Sequence, residues 1–241
     1  MADGWLFNIL LVITFHLCPL FLIMLLVVTA TDLEMAPISH RLANTPGWIP
    51  LVTGIGCLES AVALTRFLAE TTHPLTGIVN AGVAGAFIGA GPGVLDLCLA
   101  DQETQADVGI WTPSGIMAFD TIQVPTHFPL VGPLLERAKN TLQRLGVKFW
   151  TGPFVSVLAA SGTLARGEAL RQQYHALCEN MEGAAVARVA QAYQLPCLEL
   201  RAISNMVEDR DLSRWQIASA MERLAEVLPH LLPNLAPADH E

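Results

Sequence analysis

The sequence predicts an α/β fold, a β-sheet covered by helices on both faces, and three observations carry that prediction. From Leu25 onward, short apolar β-branched runs alternate with longer amphipathic ones, the pattern of strands buried on both sides by helices. The chain has 241 residues, 52% of them hydrophobic, which is enough for one substantial core and requires no second domain. Glycines and polar residues also gather where apolar runs stop, as in Gly54-Ile55-Gly56 and Ser204-Asn205. In open α/β sheets, ligands sit where strands end and helices begin.

The elements follow in order. The run 25–29 (Leu-Leu-Val-Val-Thr) reads as the first strand and 50–55 as the second, closed by the Gly54/Gly56 pair. An amphipathic run over 57–70 predicts a helix, followed by a strand at 76–80 and another at 94–100. The stretch Gln102 to Pro133 is rich in Pro, Gly, Thr and Asp without a long period, and is expected to be an extended loop region. Helices are expected at 131–144, 164–175, 182–193 and 213–231, with strands at 147–157 and 197–202. Asp211 or Ser213 is the expected cap of the last helix, and the Pro-containing tail after Leu232 is expected to fray. Residues 24–235 would form the domain, with 1–23 an apolar extension and 236–241 a tail.

Charge and composition exclude several classes. Thirteen Lys plus Arg against twenty-two Asp plus Glu give a net charge of -9, which repels phosphate backbones, so nucleic acid is not an expected partner. The five cysteines, Cys18, Cys57, Cys98, Cys178 and Cys197, are odd in number and mostly within apolar runs, as expected of core residues in a reduced, cytoplasmic compartment. Seven histidines form no H-E-x-x-H pair and no Cys/His cluster at ligand spacing, so no metal and no cofactor is expected.

The stretch Trp5 to Val28 is long and apolar enough to cross a bilayer. Yet Met1-Ala2-Asp3-Gly4 lacks the positive n-region of a signal peptide, and Met24 stands at the head of the first predicted strand. The expectation is therefore that translation begins at Met24. The alternative is an anchor through residues 5–28, in its extreme form tethering a catalytically silent nucleoside-binding module.

The segment Cys178 to Asp211 is the most informative: it sets Met181-Glu182 before an apolar helix and ends the next strand with Arg201-Ala-Ile-Ser204-Asn205. Together with Leu25 to Glu34, Gly54-Ile55-Gly56 and Asn80-Ala-Gly82-Val83-Ala84-Gly85, it resembles the nucleoside phosphorylase/hydrolase superfamily. Arg210-Asp211 and Trp215 after that motif are similar to the futalosine hydrolase family within it. The resemblance implies a three-layer sandwich with a central twisted mixed β-sheet, a small-molecule nucleoside substrate, and a homodimer. The implied activity is hydrolysis of the N-ribosidic bond of futalosine to hypoxanthine and dehypoxanthine futalosine, in menaquinone biosynthesis.

The same resemblance assigns roles. Glu34 is the carboxylate that takes a proton from attacking water, a step ribosidic hydrolysis needs because water is a weak nucleophile. Met181 and Glu182 hold the ribose, and the carboxylate favours the positive charge that develops on the sugar. Taken by themselves, both acids also read as helix-start residues favoured by the macrodipole. Asn205 replaces the Asp usual in adenine nucleosidases; its two N–H donors are expected to face N7 and a C6 carbonyl, so a 6-oxopurine fits better than adenine. Ser204 is expected to hold Asn205 in place. Gly54, Ile55, Val83, Ala84, Gly85, Ser161 and Thr163 are expected along the substrate, and Phe154 is read either as a base-stacking residue or as core.

The glycine pairs are read as strand ends at which backbone approaches a ligand. Phosphorylases of the superfamily carry an Arg shortly before the second glycine loop and a hydroxyl within it; here Gly77 to Asn80 lacks the Arg, and Val83 occupies the hydroxyl position. Water is thus the expected acceptor. The alternatives are an aminofutalosine, methylthioadenosine or S-adenosylhomocysteine nucleosidase and a purine nucleoside phosphorylase. Trp111 to Phe119 and Trp215 are candidates for the non-purine end of the substrate.

Overall fold

The structure, a computed structural model, describes residues 24–112 and 115–235. The expectations for residues 1–23 and for the tail 236–241 fall outside the described residues. Strand β1 (Met24–Thr29) is buried on both faces, Leu25 and Val27 toward one hydrophobic cluster and Leu26 and Val28 toward another. Its last residues therefore belong to a packed sheet, so Met24 to Val28 do not serve as part of an anchor. Among the described residues no helix is long and apolar enough to cross a membrane.

Helix α1 (Asp32–Leu42) follows, then β2 (Trp48–Val52), α2 (Cys57–Glu70), β3 (Leu75–Phe87) and β4 (Leu97–Gln105). The region expected to be loop holds the hairpin β5 (Ile110–Thr112) with β6 (Gly115–Met117), and β7 (His127–Pro129), which pairs with β4. After α3 (Pro133–Arg144) and β8 (Phe149–Ser156) come α4 (Leu164–Tyr174), the short β9 (Cys178–Asn180), α5 (Gly183–Ala192) and β10 (Cys197–Val207). A 3-10 turn, Leu212–Arg214, precedes α6 (Ile217–Leu235). Asp211 caps that turn, accepting from the Ser213 N–H at 3.0 Å and hydroxyl at 2.7 Å, and does not cap the last helix.

The sheet is mixed. β2, β1 and β3 run parallel, β10 pairs parallel with the other side of β3, and β10 meets β4 antiparallel. β4 pairs with β8, β8 with β9, and β9 returns antiparallel to β3, so β3, β10, β4, β8 and β9 close a ring. Closure removes strand edges, and it explains why β3 and β10 are longer than their apolar runs foretold: β3 must serve three partners along its length and β10 two. The clusters show the layers. Met35, Ile38 and Leu42 of α1, Leu134 and Leu142 of α3, and Leu224 to Leu235 of α6 cover one face. Leu64 and Leu68 of α2 with Val186 and Val189 of α5 cover the other. This is the three-layer sandwich expected.

Candidate active site

A cavity of about 310 Å³ opens at the ends of β1, β3 and β10, lined by residues from every one of the sequence motifs. Glu34, Ile55, Val83, Ala84, Gly85, Ser161, Met181, Glu182, Ser204 and Asn205 all face it. Gly54 and Thr163 do not. Gly54 holds a positive φ of 93° and turns the chain beside Glu59, while Thr163 is exposed and caps α4, accepting from the Arg166 N–H at 3.3 Å. Phe154 is fully buried in the core, so of its two readings the structure chooses packing.

Glu34 enters the cavity from the first turn of α1. One carboxylate oxygen accepts from the Thr31 N–H and hydroxyl, both at 3.0 Å, and the Thr31 hydroxyl in turn accepts from the Glu34 N–H at 3.3 Å. This capping box fixes the helix start and the side chain together. The other oxygen accepts from the Val83 N–H at 3.1 Å, tying α1 to β3. Glu34 is 6% exposed, so it is not the solvated helix-start acid of the alternative reading.

Glu182 is likewise 6% exposed. It accepts from the Gly56 N–H at 3.0 Å and lies 3.5 Å from the Arg201 guanidinium. The Asn180 carboxamide oxygen receives the N–H groups of Glu182 at 3.0 Å and Gly183 at 2.7 Å, and so orders the start of α5.

Arg201, which the sequence reading left without a role, is the hub of the site. It is 1% exposed and donates to Glu199 at 2.8 Å, to Asn180 at 3.3 Å and to the Val83 carbonyl at 3.3 Å, besides facing Glu182. Burial works against its charge, but Glu199, Glu182 and Glu34 together raise the guanidinium above its usual range. The signal was present: Leu-Glu199-Leu-Arg201 puts two charges two residues apart, hence on one face of a buried strand.

Behind Arg201 lies Glu103 on β4, bonded to Ser156 at 3.0 Å and to the Asn180 amide. Burial and then the charge of Glu199 push the Glu103 carboxyl well up, and burial likewise raises Glu199. Both acids are thus held more protonated than an ordinary glutamate, the direction expected of two carboxyls buried side by side. The four described cysteines are free, and burial lifts the Cys57 thiol to about 11 and Cys98 to about 12, so neither is a nucleophile.

At the other end of the cavity, the Ser204 hydroxyl donates to the Asn205 oxygen at 2.8 Å and to the Ala84 carbonyl at 3.3 Å. Asn205 donates to the Met206 carbonyl at 3.2 Å. The amide is thus oriented by Ser204, but only one N–H is left for a ligand, where the sequence reading assigned two. Glu179 joins this end, accepting from the Ser161 N–H at 2.7 Å and hydroxyl at 2.6 Å. Trp215, Ile217 and Met221 form an apolar wall, and Arg210 lies over the Trp215 ring at 5.5 Å. Phe119 is not in the lining, and the side chain of Trp111 lies outside the described residues. Among the described residues no group of three or more His, Cys, Asp or Glu side chains is suited to a metal.

Comparison with known proteins agrees with the geometry. The phosphorylase superfamily matches residues 25–233. The chain is 36% identical over 205 residues to the futalosine hydrolase of Streptomyces coelicolor, covering 81% of this chain and 82% of that protein. It is 33% identical over 192 residues to the futalosine hydrolase of Thermus thermophilus, covering 77% and 81%. The native structure of futalosine hydrolase from Helicobacter pylori strain 26695 superposes with a TM-score of 0.78 at 20% identity, over 88% of this chain and 98% of that one, and so shares the fold. The chain belongs to the phosphorylase superfamily and, within it, to the futalosine hydrolase family.

Proposed function

We propose that this protein hydrolyses the N-ribosidic bond of futalosine, releasing hypoxanthine and dehypoxanthine futalosine, a step of menaquinone biosynthesis. The observation that carries the reading is the convergence of Glu34, Glu182 and Asn205 on one cavity. Glu34, anchored through three N–H and O–H donors, takes the proton of the attacking water. Glu182 accepts from the ribose hydroxyls and supports the charge developing on the sugar, with Met181 packed below the ring. Asn205, held by Ser204, binds the departing base.

Water is favoured over phosphate by the same geometry. One backbone donor in each of the two glycine segments is taken by an acid: the Val83 N–H by Glu34 and the Gly56 N–H by Glu182. A phosphate dianion arriving there would meet two carboxylates and one guanidinium already engaged by them. The reading carries with it a cytoplasmic homodimer of the domain 24–235. Ile55, Leu58 and Val62, all more than half exposed beside the cavity mouth, supply an apolar face for the second copy.

The test is cleavage of futalosine, aminofutalosine and inosine with and without phosphate. Futalosine is expected to be cut fastest, at a rate indifferent to phosphate. Formation of ribose 1-phosphate esters would overturn the hydrolase assignment, and preference for the amino substrate would overturn the role of Asn205.

A further inference from the structure

We propose that Glu179 is the residue that selects the 6-oxopurine, accepting the N1–H of the base while the adjoining Asn205 amide donates to its O6. The inference deepens the proposed function and rests on its assignment of the base to the Asn205 end of the cavity. It begins with sheet register. Gly85 of β3 is paired on one side with Glu179 of β9 and on the other with Asn205 of β10. Residues paired across a sheet project from the same face, so Glu179 and Asn205 flank a position without a side chain.

Their convergence is close. A Cβ built on Gly85 would stand 3.1 Å from Asn205 Nδ2 and 3.7 Å from Glu179 Cγ. Both side chains line the cavity. The sheet therefore presents an amide donor beside a carboxylate acceptor, drawn together over a glycine whose missing side chain lets Asn205, Glu179 and the Val207 methyl, 3.0 Å from the same built Cβ, pack against the backbone.

That order of groups is the complement of one purine edge. A 6-oxopurine offers an acceptor, O6, next to a donor, N1–H. Adenine offers the reverse, a donor amino group next to the acceptor N1, and would set donor against donor and acceptor against acceptor. With one Asn205 N–H already given to Met206, the amide by itself contacts a single atom of the base, and discrimination needs the second partner.

Glu179 is built for the task. It is 5% exposed, and its two oxygens accept the Ser161 N–H and hydroxyl, which fixes the carboxylate plane and uses about two of its roughly four lone-pair positions. Burial raises its pKa above that of an ordinary glutamate even against the Ser161 bonds, which lower it; a third donor, from the base, works in the same direction as those bonds and so favours the ionised acceptor when the base is bound.

The test measures binding of free bases to the whole protein, without turnover, by calorimetry. The wild type is expected to bind hypoxanthine at least about 10-fold more tightly than 1-methylhypoxanthine and adenine, because a mismatch leaves buried polar groups unpaired. Glu179→Gln, whose amide both donates and accepts, is expected to narrow the hypoxanthine/adenine ratio at least about 10-fold. Ser161→Ala, which loosens the carboxylate but keeps it, is expected to weaken hypoxanthine more than 1-methylhypoxanthine or adenine, because only hypoxanthine donates to that carboxylate.

Equal binding of hypoxanthine and 1-methylhypoxanthine by the wild type would overturn the proposal, even if the Gln variant failed to fold. So would an unchanged ratio in Glu179→Gln, or binding of none of the bases. Intact discrimination among bases in a protein that cleaves no nucleoside would instead sink the hydrolase reading and leave Glu179 its role.

Discussion

Replacing Gly82 by Ala adds one methyl group at the most crowded point of the site, and its effect can be worked from the coordinates. A Cβ at position 82 would lie 2.6 Å from an Arg201 nitrogen and 2.8 Å from a Glu34 oxygen, whereas real Cβ atoms essentially never approach below 3.0 Å. Both groups must retreat by several tenths of an ångström. Neither has slack: Glu34 is held by Thr31 and Val83, and Arg201 by Glu199, Asn180 and the Val83 carbonyl. Overpacking of this kind costs about 1–3 kcal/mol, or roughly 2–4 °C of melting temperature per kcal/mol for a chain of this size. Displacing the base that activates water by several tenths of an ångström should also cost rate, between about 10-fold and the roughly 10²-fold that a misplacement of 1 Å produces in kcat/KM. Steady-state cleavage of futalosine and thermal unfolding read the two quantities separately. Hypoxanthine binding is the control and should be retained, because Asn205 and Glu179 lie at the other end of the cavity. A variant with kcat/KM within threefold of wild type would refute the claim that Gly82 exists to let Glu34 and Arg201 share one space.

Three further outcomes follow from the same geometry. Glu34→Gln should lower kcat about 10²-fold with little change in KM, because general-base work is lost while the sugar and base contacts stay; turnover at the wild-type rate would remove Glu34 from the chemistry. Asn205→Asp exchanges the one free donor for an acceptor, so aminofutalosine should gain on futalosine by at least about 10-fold in relative kcat/KM, and an unchanged preference would show that position 205 does not read C6. The Glu103/Glu199 pair predicts a pH effect on stability. Both carboxyls are raised in the folded state above the 4.5 of an ordinary glutamate, so the folded form binds protons more tightly than the unfolded. Stability from this pair is fully present at and below that ordinary value and is lost as pH rises through the raised ones. Glu199→Gln keeps an oxygen toward Arg201 and supplies a permanent donor toward Glu103, so its melting temperature should fall less than the wild type's between pH 5 and pH 8, roughly the span above the ordinary carboxyl range. Parallel curves in differential scanning fluorimetry would show that the pair is not raised.

The sequence made the fold legible wherever an element was long enough to show a period. Helix α2 spans the predicted 57–70, and β1 alternates its apolar residues between two clusters as a doubly covered strand must. The three-residue strands β5, β6, β7 and β9 were missed because three residues carry no alternation to read. Helix α1 was missed for another reason: Pro37 and scattered polar residues mask its face, and its clearest mark is the Thr31/Glu34 cap. The glycines of Asn80 to Gly85 were read as a strand end, yet they lie inside β3 without positive φ. Sequence patterns suggest that a backbone must come near something; they do not say that here it is Arg201, Glu34 and Asn205.

The same distinction separates the site residues that were found from those that were not. Glu34 and Asn205 stand out because a polar residue follows an apolar run, and Glu182 because one precedes such a run. Arg201, Glu199 and Glu103 sit within such runs, where a charge looks like an exception, and only the ring of five strands brings β4 and β10 together so that the exception resolves. Three carboxylates, Glu34, Glu182 and Glu199, share Arg201, and a fourth, Glu103, is raised by burial and by the charge of Glu199. Buried charge is tolerated only when paired, so each of these groups holds the others in place. Arg201→Met is the severest test of that account. It strands three acids at once, and a loss of at least about 3–5 kcal/mol is expected from uncompensated buried charge. Chemical denaturation measures it. If the Met variant proved as stable as the wild type at neutral pH, Arg201 would not be what holds Glu34, Glu182 and Glu199 in place, and the site would need another source of its order.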